Sequence, residues 1–156
     1  MKKIRLPLDI YSEENRPCAI TICAKDGRDI FLSVDFVNEV SLLLINESQT
    51  HKMLLYAFCI MPNHIHIIIA ASENISIIDW IQRIKGKITK ISWKYGFQGS
   101  VLQKRFYDHF IRSDEDLLKH CKYVWENPLR KELSSERRKP PYTGSAVYDI
   151  TKIAGG

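Results

Sequence analysis

Two histidines, His64 and His66, stand one residue apart at the start of an apolar run that continues to Ala70. Side chains of an extended strand alternate between its two faces, so both imidazoles are expected on one face and the neighbouring isoleucines on the other. Two neighbouring imidazoles on a rigid strand are half of a metal site. The alternative is a pair of surface or hydrogen-bonded histidines that hold no metal.

A second set of polar residues recurs along the last predicted helix, which begins at the capping signal 113–116 and is expected to stop at Asn127-Pro128. At about 100° per residue, its apolar residues form one stripe. A separate stripe, about 100° away, contains Asp116, His120, Tyr123 and Asn127. A tyrosine needed only for packing would lie in the apolar stripe, so Tyr123 is a candidate for chemistry.

A helix laid against the histidine face would bring the amide oxygen of Asn127 to the imidazole pair, with Tyr123 beside it. Such mixed nitrogen and oxygen ligation, with open positions, suits Mg²⁺ or Mn²⁺. The ion can polarise a phosphate while a tyrosine oxygen attacks it, and a phosphotyrosine link allows strands to be rejoined without ATP. Two alternatives stay open: Asn127 caps the helix before Pro128, and Tyr107, on a predicted strand, is the nucleophile rather than an ordinary strand aromatic.

The elements that must position these residues are predicted in the order β-α-β-β-α-β-α. Strands are expected at 17–24, 53–59, 64–71 and 105–111, and helices from Ser33 or Asp35 to about Glu47, from Ser76 to about Lys94, and from Ser113 to Asn127. This order predicts an α+β fold with a ferredoxin-like or RRM-like antiparallel four-stranded sheet, helices on one face and an added C-terminal catalytic helix. Residues 1–133 are predicted to form this domain and residues 134–156 a loosely organised tail.

Composition limits the class of protein. A chain of 156 residues, 45% hydrophobic and 26% charged, suits one globular domain. No apolar run approaches the roughly 20 residues of a membrane span, and no secretory signal follows the basic N-terminus, so cytoplasmic residence is expected. The net charge of +5 indicates a polyanionic partner. The four cysteines lack a C-x-x-C pair, which argues against a zinc ribbon.

These residues resemble a known family. His64-Ile65-His66 resembles the HUH motif, in which U is a hydrophobic residue, and the segment 123–128, Tyr-Val-Trp-Glu-Asn-Pro, resembles its catalytic helix with a single tyrosine. The runs 61–66 and 106–112 are similar to those of REP-associated tyrosine transposases, the stand-alone relatives of single-strand insertion-sequence transposases. The resemblance covers roughly Pro17 to Leu133.

The resemblance implies a metal-dependent single-stranded DNA endonuclease and strand transferase, a transposase that acts at hairpin-forming repeats. His64, His66 and Asn127 would be the metal ligands, and Tyr123 would form a 5′-phosphotyrosine link while a 3′-hydroxyl leaves. Mobile insertion-sequence enzymes mostly carry Gln at the third ligand position, so Asn127 favours the REP-associated branch. Insertion-sequence enzymes are dimers with exchanged tyrosine helices, whereas REP-associated relatives can be monomers, and both states stay open here.

Basic side chains are expected to contact the DNA backbone, although a solvated helix face explains some of them equally well. The candidates for DNA binding are Arg83, Lys87, Arg105, Arg112, His120 and Arg130. Two other functions remain: a non-catalytic RRM-like module that binds single-stranded nucleic acid through sheet aromatics, and an HUH replication initiator or relaxase. The short chain, without an attached helicase or origin-binding domain, argues against the last.

Overall fold

The protein folds as an antiparallel sheet between helices, as seen in a computed structural model that describes residues 8–130 and 135–149. The strands are β1 (Cys18–Ala24), β2 (Leu54–Met61), β3 (His64–Ala70), β4 (Leu102–Phe110) and β5 (Thr143–Gly144). The long helices are α1 (Val34–Thr50), α2 (Ile77–Trp93) and α3 (Asp114–Arg130). The sheet order is β4-β1-β3-β2-β5 with every pair antiparallel. The predicted α+β class is therefore confirmed, with a fifth strand added at the β2 edge.

Serine caps begin all three long helices where the sequence predicts them. The Oγ of Ser33 accepts a hydrogen bond from the Phe36 amide at 3.3 Å, and the Oγ of Ser76 accepts one from the Asp79 amide at 3.1 Å. Ser113 does the same for the amide of residue 116 at 3.2 Å. Each cap satisfies an amide that has no partner within its helix. Within residues 8–130 and 135–149, no helix combines the length and apolar character that a membrane crossing requires.

The two faces of the sheet have different cores. Ile65, Ile67 and Ile69 of β3 point, fully buried, into the main core, which α1 and α2 complete. The opposite face carries Ile68 and forms a second, smaller cluster with the apolar stripe of α3. The strand alternation expected around the histidines is thus present, and α3 lies on the histidine face of its own chain's sheet.

Helix α3 extends further than expected. The sequence predicts that it stops at Asn127-Pro128, but the helix includes Pro128 and ends at Arg130. A proline has a φ angle compatible with a helix, but inside one it removes an amide donor and crowds the carbonyl four residues earlier, at a cost of about 3 kcal/mol. Pro128 is buried, and the C-terminal part of α3 contacts the segment Ser135–Arg138, so packing outweighs the lost hydrogen bond.

The described part of the C-terminal segment packs against the sheet and α3, in contrast to the loose tail expected from residue 134. Arg137 is buried and donates hydrogen bonds to the carbonyl oxygens of Ile60 at 3.1 Å and Phe31 at 2.7 Å. Farther along, Gly144 of β5 accepts a hydrogen bond from Trp125 Nε1 at 3.0 Å. The pairs Pro140-Pro141 and Gly144-Ser145 predict a loop, and contacts with distant strands leave no local signal in the sequence. The domain boundary at residue 133 stays a prediction.

Candidate active site

The two histidines converge on each other. The Nε2 atoms of His64 and His66 are 3.0 Å apart, and their rings, with centroids 4.6 Å apart, are inclined at 82°. Two ligands at right angles, each about 2.1 Å from one metal ion, are separated by about 3.0 Å. The spacing of the two nitrogens is that of an N–H···N hydrogen bond between the rings, and it also matches that of neighbouring positions in a coordination sphere.

The other nitrogen of each ring has a partner. His64 Nδ1 lies 2.7 Å from Asn63 Oδ1, and His66 Nδ1 lies 3.1 Å from Thr21 Oγ1. An amide oxygen only accepts, so His64 donates from Nδ1 and presents a lone pair at Nε2. If His66 likewise donates to the Thr21 hydroxyl, both Nε2 lone pairs point to the same place. Oriented imidazoles of this kind are the usual arrangement around a metal. In the other tautomer of His66, Nδ1 accepts from the Thr21 hydroxyl and Nε2–H donates to His64 Nε2.

A polar area surrounds the pair on the histidine face. In the cross-strand register His66 pairs with Thr21 of β1, which pairs in turn with Tyr107 of β4. The β2 side of this face is buried beside α3 at Ala57, Cys59, Met61 and Ile68. What stays partly or largely accessible, here called the open patch, consists of Thr21, Asn63, His64, His66 and Tyr107.

Two contacts set the direction of α3 across this face. Near its start the His120 ring lies 5.8 Å from the His109 ring of β4, at one edge of the sheet. Near its end Trp125 is bound to Gly144 of β5, at the other edge. At about 100° per residue, His120 and Trp125 lie on opposite flanks of the sheet-facing stripe. Tyr123 and Asn127 lie on the same flank of this stripe as His120.

Tyr123 and Asn127 have different surroundings on this flank. Tyr123 is 58% exposed and lines, with Lys119 and His120, a pocket of about 270 Å³. Asn127 is only 3% exposed, and its Nδ2 is buried without a hydrogen-bond partner in the described part of the chain. A buried amide with an unused polar atom is costly unless a ligand engages it. Because α3 continues to Arg130, Asn127 is not the C-terminal cap that the sequence left as an alternative.

The donor set fits a divalent ion with few protein ligands. Among the described residues, no group of three His, Cys, Asp or Glu side chains could hold a metal. The orphaned Asn127 Nδ2 is a hydrogen-bond donor and suits a phosphate oxygen, whereas the Oδ1 of the same amide is the atom that could act as a third, neutral ligand beside His64 and His66. Two nitrogens and one oxygen leave positions for phosphate oxygens, which is compatible with Mg²⁺ or Mn²⁺.

Two of the basic residues expected at the DNA lie on the other side of the sheet. Arg83 and Lys87 belong to α2, and both pair with the buried Glu47 of α1; the Arg83 Nε to Glu47 Oε2 distance is 2.9 Å. Burial raises the pKa of Glu47, but hydrogen bonds from Lys87 and Arg83 outweigh it, so the pKa is lowered overall. Arg83 and Lys87 therefore link α1 to α2 away from the histidine face, and their contact with DNA stays a prediction.

The remaining candidates are closer to the histidine face. Arg105 is exposed on the edge strand β4, Arg112 is exposed between β4 and α3, and His120 is half-buried beside His109. The backbone of Arg130 ends α3, and its side chain lies outside the described residues. Contact of these four residues with DNA stays a prediction.

The sequence patterns do not single out Thr21 and Asn63, and they offer Tyr107 only as an alternative nucleophile. Thr21 was detectable as the one hydroxyl residue in the otherwise apolar strand β1, but only the strand register places it against His66. Asn63 lies in the turn between β2 and β3, where the sequence predicts only a turn residue, and its side chain also contacts the His64 ring. Tyr107 was interpreted as an ordinary strand aromatic, and it proves to share a cross-strand row with His66 through Thr21.

This fold, with an imidazole pair and a tyrosine-bearing helix on one sheet face, is of the kind found in transposases that use a tyrosine. The model of the IS200-like transposase family matches residues 17–127, and the chain belongs to that family. A Haemophilus influenzae protein assigned as a REP-associated tyrosine transposase is 28% identical over 135 residues, covering 79% of this chain and 76% of the relative. The resemblance read from the sequence is thereby confirmed.

Two solved structures share the fold. A REP-associated tyrosine transposase bound to a REP hairpin superposes with a TM-score of 0.71 at 20% identity, covering 92% of this chain and 82% of the other. A protein from Deinococcus radiodurans assigned as a transposase superposes with a TM-score of 0.52 at 15% identity, covering 86% of this chain and 100% of the other. At these identities the likeness shows the fold alone.

Proposed function

We propose that this protein is a metal-dependent single-stranded DNA endonuclease and strand transferase that acts at hairpin-forming repeats through a 5′-phosphotyrosine on Tyr123. The observation that carries the proposal is the convergence of His64 Nε2 and His66 Nε2, 3.0 Å apart, on the sheet face that the Tyr123 helix crosses. The choice of hairpin repeats is supported by the relative whose structure is described as bound to a REP hairpin.

The residues have separate tasks in the proposed reaction. Asn63 and Thr21 orient the imidazoles through their Nδ1 atoms. When bound by His64, His66 and the Asn127 amide, Mg²⁺ or Mn²⁺ supplies polarisation of the scissile phosphate. The phenol oxygen of Tyr123 then forms a bond to phosphorus and loses its proton to solvent. The bond from phosphorus to the 3′ oxygen breaks, and that oxygen takes a proton to leave as a 3′-hydroxyl.

The reverse reaction explains strand transfer. A 3′-hydroxyl from another strand attacks the phosphotyrosine, restores a phosphodiester and releases the Tyr123 phenol. The energy of the original bond is retained in the protein–DNA link, so no ATP is required. The exposed position of Tyr123 is compatible with both directions, because the incoming and departing strands need access to it.

The proposal is tested by incubating the protein with Mn²⁺ and a hairpin flanked by single strands, followed by denaturing electrophoresis. A label at the 3′ end should move with the protein, and a label at the 5′ end should appear on a free fragment. Tyr123→Phe should abolish the adduct, EDTA should abolish it in the wild type, and Tyr107→Phe should retain it. Absence of an adduct from folded wild-type protein, or its persistence in Tyr123→Phe, would refute the nucleophile assignment.

The same experiment separates the other functions. A non-catalytic RRM-like binder, which the exposed Tyr107 on the sheet favours, would bind the hairpin equally well with EDTA or after His64→Ala and would never form an adduct. A replication initiator or relaxase would form the same adduct at a different DNA target. A cytoplasmic location and the choice between monomer and homodimer stay predictions.

A further inference from the structure

An aromatic side chain lies beside the proposed catalytic centre without a task in the reaction. Tyr107 is 39% exposed on β4, the edge strand, whereas its neighbours Phe106 and Phe110 are buried in the main core. Its register partner Thr21 is hydrogen-bonded to His66, so Tyr107 and the metal-binding pair share one face and one cross-strand row. Part of a large aromatic ring thus faces solvent on the same side of the sheet as the histidine pair.

The surroundings of Tyr107 suit a nucleic acid base. Arg105 and His109, two residues away on either side along β4, are exposed, and Arg112 follows beyond the end of the strand. Neighbouring strands are about 4.8 Å apart, so two strand spacings put the Cα of Tyr107 about 10 Å from that of His66. Stacked bases rise by about 3.4 Å along one strand, so this separation corresponds to about three nucleotides or fewer.

We propose that the ring of Tyr107 is a stacking platform for one unpaired base within three nucleotides of the cleaved phosphate. The inference rests on the proposed function, because it places the cleaved phosphate at the histidine pair. An aromatic ring stacks on any base, and the guanidinium groups of Arg105 and Arg112 are placed to contact the phosphate backbone. Tyr107 is therefore a residue that positions the single-stranded flank, while the hairpin itself is held elsewhere.

The proposal separates the ring of Tyr107 from its hydroxyl. Stacking needs the ring alone, so Tyr107→Phe keeps the function and Tyr107→Ala removes it. A nucleophilic or hydrogen-bonding role would need the hydroxyl, and both variants would then lose it. A role in packing alone would lower thermal stability without distinguishing DNA with flanks from DNA without them.

The test measures equilibrium binding by fluorescence anisotropy in a Tyr123→Phe background, in which no adduct forms. A further Tyr107→Ala change should weaken binding of a hairpin with single-stranded flanks by about 5- to 150-fold. Binding of the same hairpin without flanks should change by less than about twofold, and Tyr107→Phe should match the parent on both. Trp93→Ala removes an aromatic ring of similar exposure, 50%, from α2 and serves as the matched control, with no expected change.

An abasic scan locates the stacked base. One abasic site within three nucleotides of the cleaved phosphate should weaken binding of the Tyr123→Phe parent but not of the Tyr107→Ala derivative, since the same contact is already lost. Three results would overturn the proposal. The parent and Tyr107→Ala could bind the flanked hairpin equally well, or Tyr107→Phe could weaken this binding as much as Tyr107→Ala does. The third result is that Tyr107→Ala weakens binding of the hairpin without flanks by the same factor as binding of the flanked hairpin. Failure of the proposed function would give another result. The wild type would then form no covalent adduct, while Tyr107→Ala would still weaken binding of the flanked hairpin.

Discussion

Replacing Thr21 by valine tests whether the orientation of His66 matters for metal binding. The Thr21 hydroxyl lies 3.1 Å from His66 Nδ1, and valine has the same shape and strand preference but no polar atom. Without an acceptor at Nδ1, His66 is free to move its proton to Nε2, and a protonated Nε2 cannot bind a metal ion. The substitution should therefore impair the metal site while leaving the strand intact.

The expected loss of metal affinity follows from what is known of groups that hydrogen-bond to the second nitrogen of a metal-bound histidine. Removing the group that orients a metal-bound histidine typically weakens metal affinity 10- to 100-fold, about 1.4 to 2.7 kcal/mol. The effect on folding should be smaller, because one part-buried hydrogen bond contributes about 0.5 to 1.5 kcal/mol and the valine methyl group offsets some of it. Thr21→Val should thus need 10- to 100-fold more Mn²⁺ for half-maximal adduct formation, with a thermal midpoint within a few degrees of the wild type.

Mn²⁺ titration followed by electron paramagnetic resonance measures the same affinity without DNA. Thr21→Ser should restore most of the binding, because it returns the hydroxyl. Thr89→Val is the matched control, since it removes a threonine hydroxyl that donates to the Lys85 carbonyl within α2, away from the histidine face. A Thr21→Val protein with wild-type Mn²⁺ affinity would show that the Thr21 hydroxyl does not orient His66.

Three further substitutions test the framework. Arg137→Met should lower the free energy of unfolding by about 2 to 4 kcal/mol, and the thermal midpoint by about 5 to 15 °C, because it leaves two buried carbonyl oxygens without their donor. Gly144→Ala should cost about 1 to 3 kcal/mol in thermal unfolding, since the new Cβ would lie 2.4 Å from Phe58 Cζ, whereas Gly86→Ala, which meets no atom within 4 Å, should be neutral or stabilising. Glu47→Gln should lower the thermal midpoint at pH 7. The folded pKa of Glu47 lies below its unfolded value of about 4.3, so its contribution is complete above that pH, and the difference from the wild type should shrink as pH falls through 4. A pH-independent difference would show that packing, rather than charge, explains the effect of Glu47.

The sheet and its helices could be predicted because local signals agree with the overall pattern. Ser76 both begins a helical periodicity and caps it, and the alternation from His64 onward assigns one face to the core. Strand and helix types follow from these periods without any knowledge of contacts between distant segments. The same periods placed Tyr123 and Asn127 on one flank of α3.

Features that depend on long-range contacts were not predictable. The proline at position 128 predicts the end of a helix. Helix α3 nevertheless continues to Arg130, because it packs against residues 135–138, and this contact has no local signal in the sequence. The pairing of Arg83 with Glu47 joins residues 36 positions apart, and helical spacing cannot show which acid a basic residue meets. Thr21 and His66 are neighbours only in the observed register of β1 with β3. A shift of that register by one residue would put their side chains on opposite faces of the sheet.

The C-terminal segment has a consequence for the position of the proposed nucleophile. A helix held to a sheet only by an apolar stripe can shift by one turn, about 5.4 Å, and present a similar stripe again. In α3 the hydrogen bond from Trp125 to Gly144 and the contact of His120 with His109 each have a single partner, so both would break after such a shift. Because Tyr123 lies between these two contacts in the sequence, its position along the sheet is fixed from both sides. The segment that holds Gly144 against β2 therefore belongs to the positioning of Tyr123 as much as α3 does.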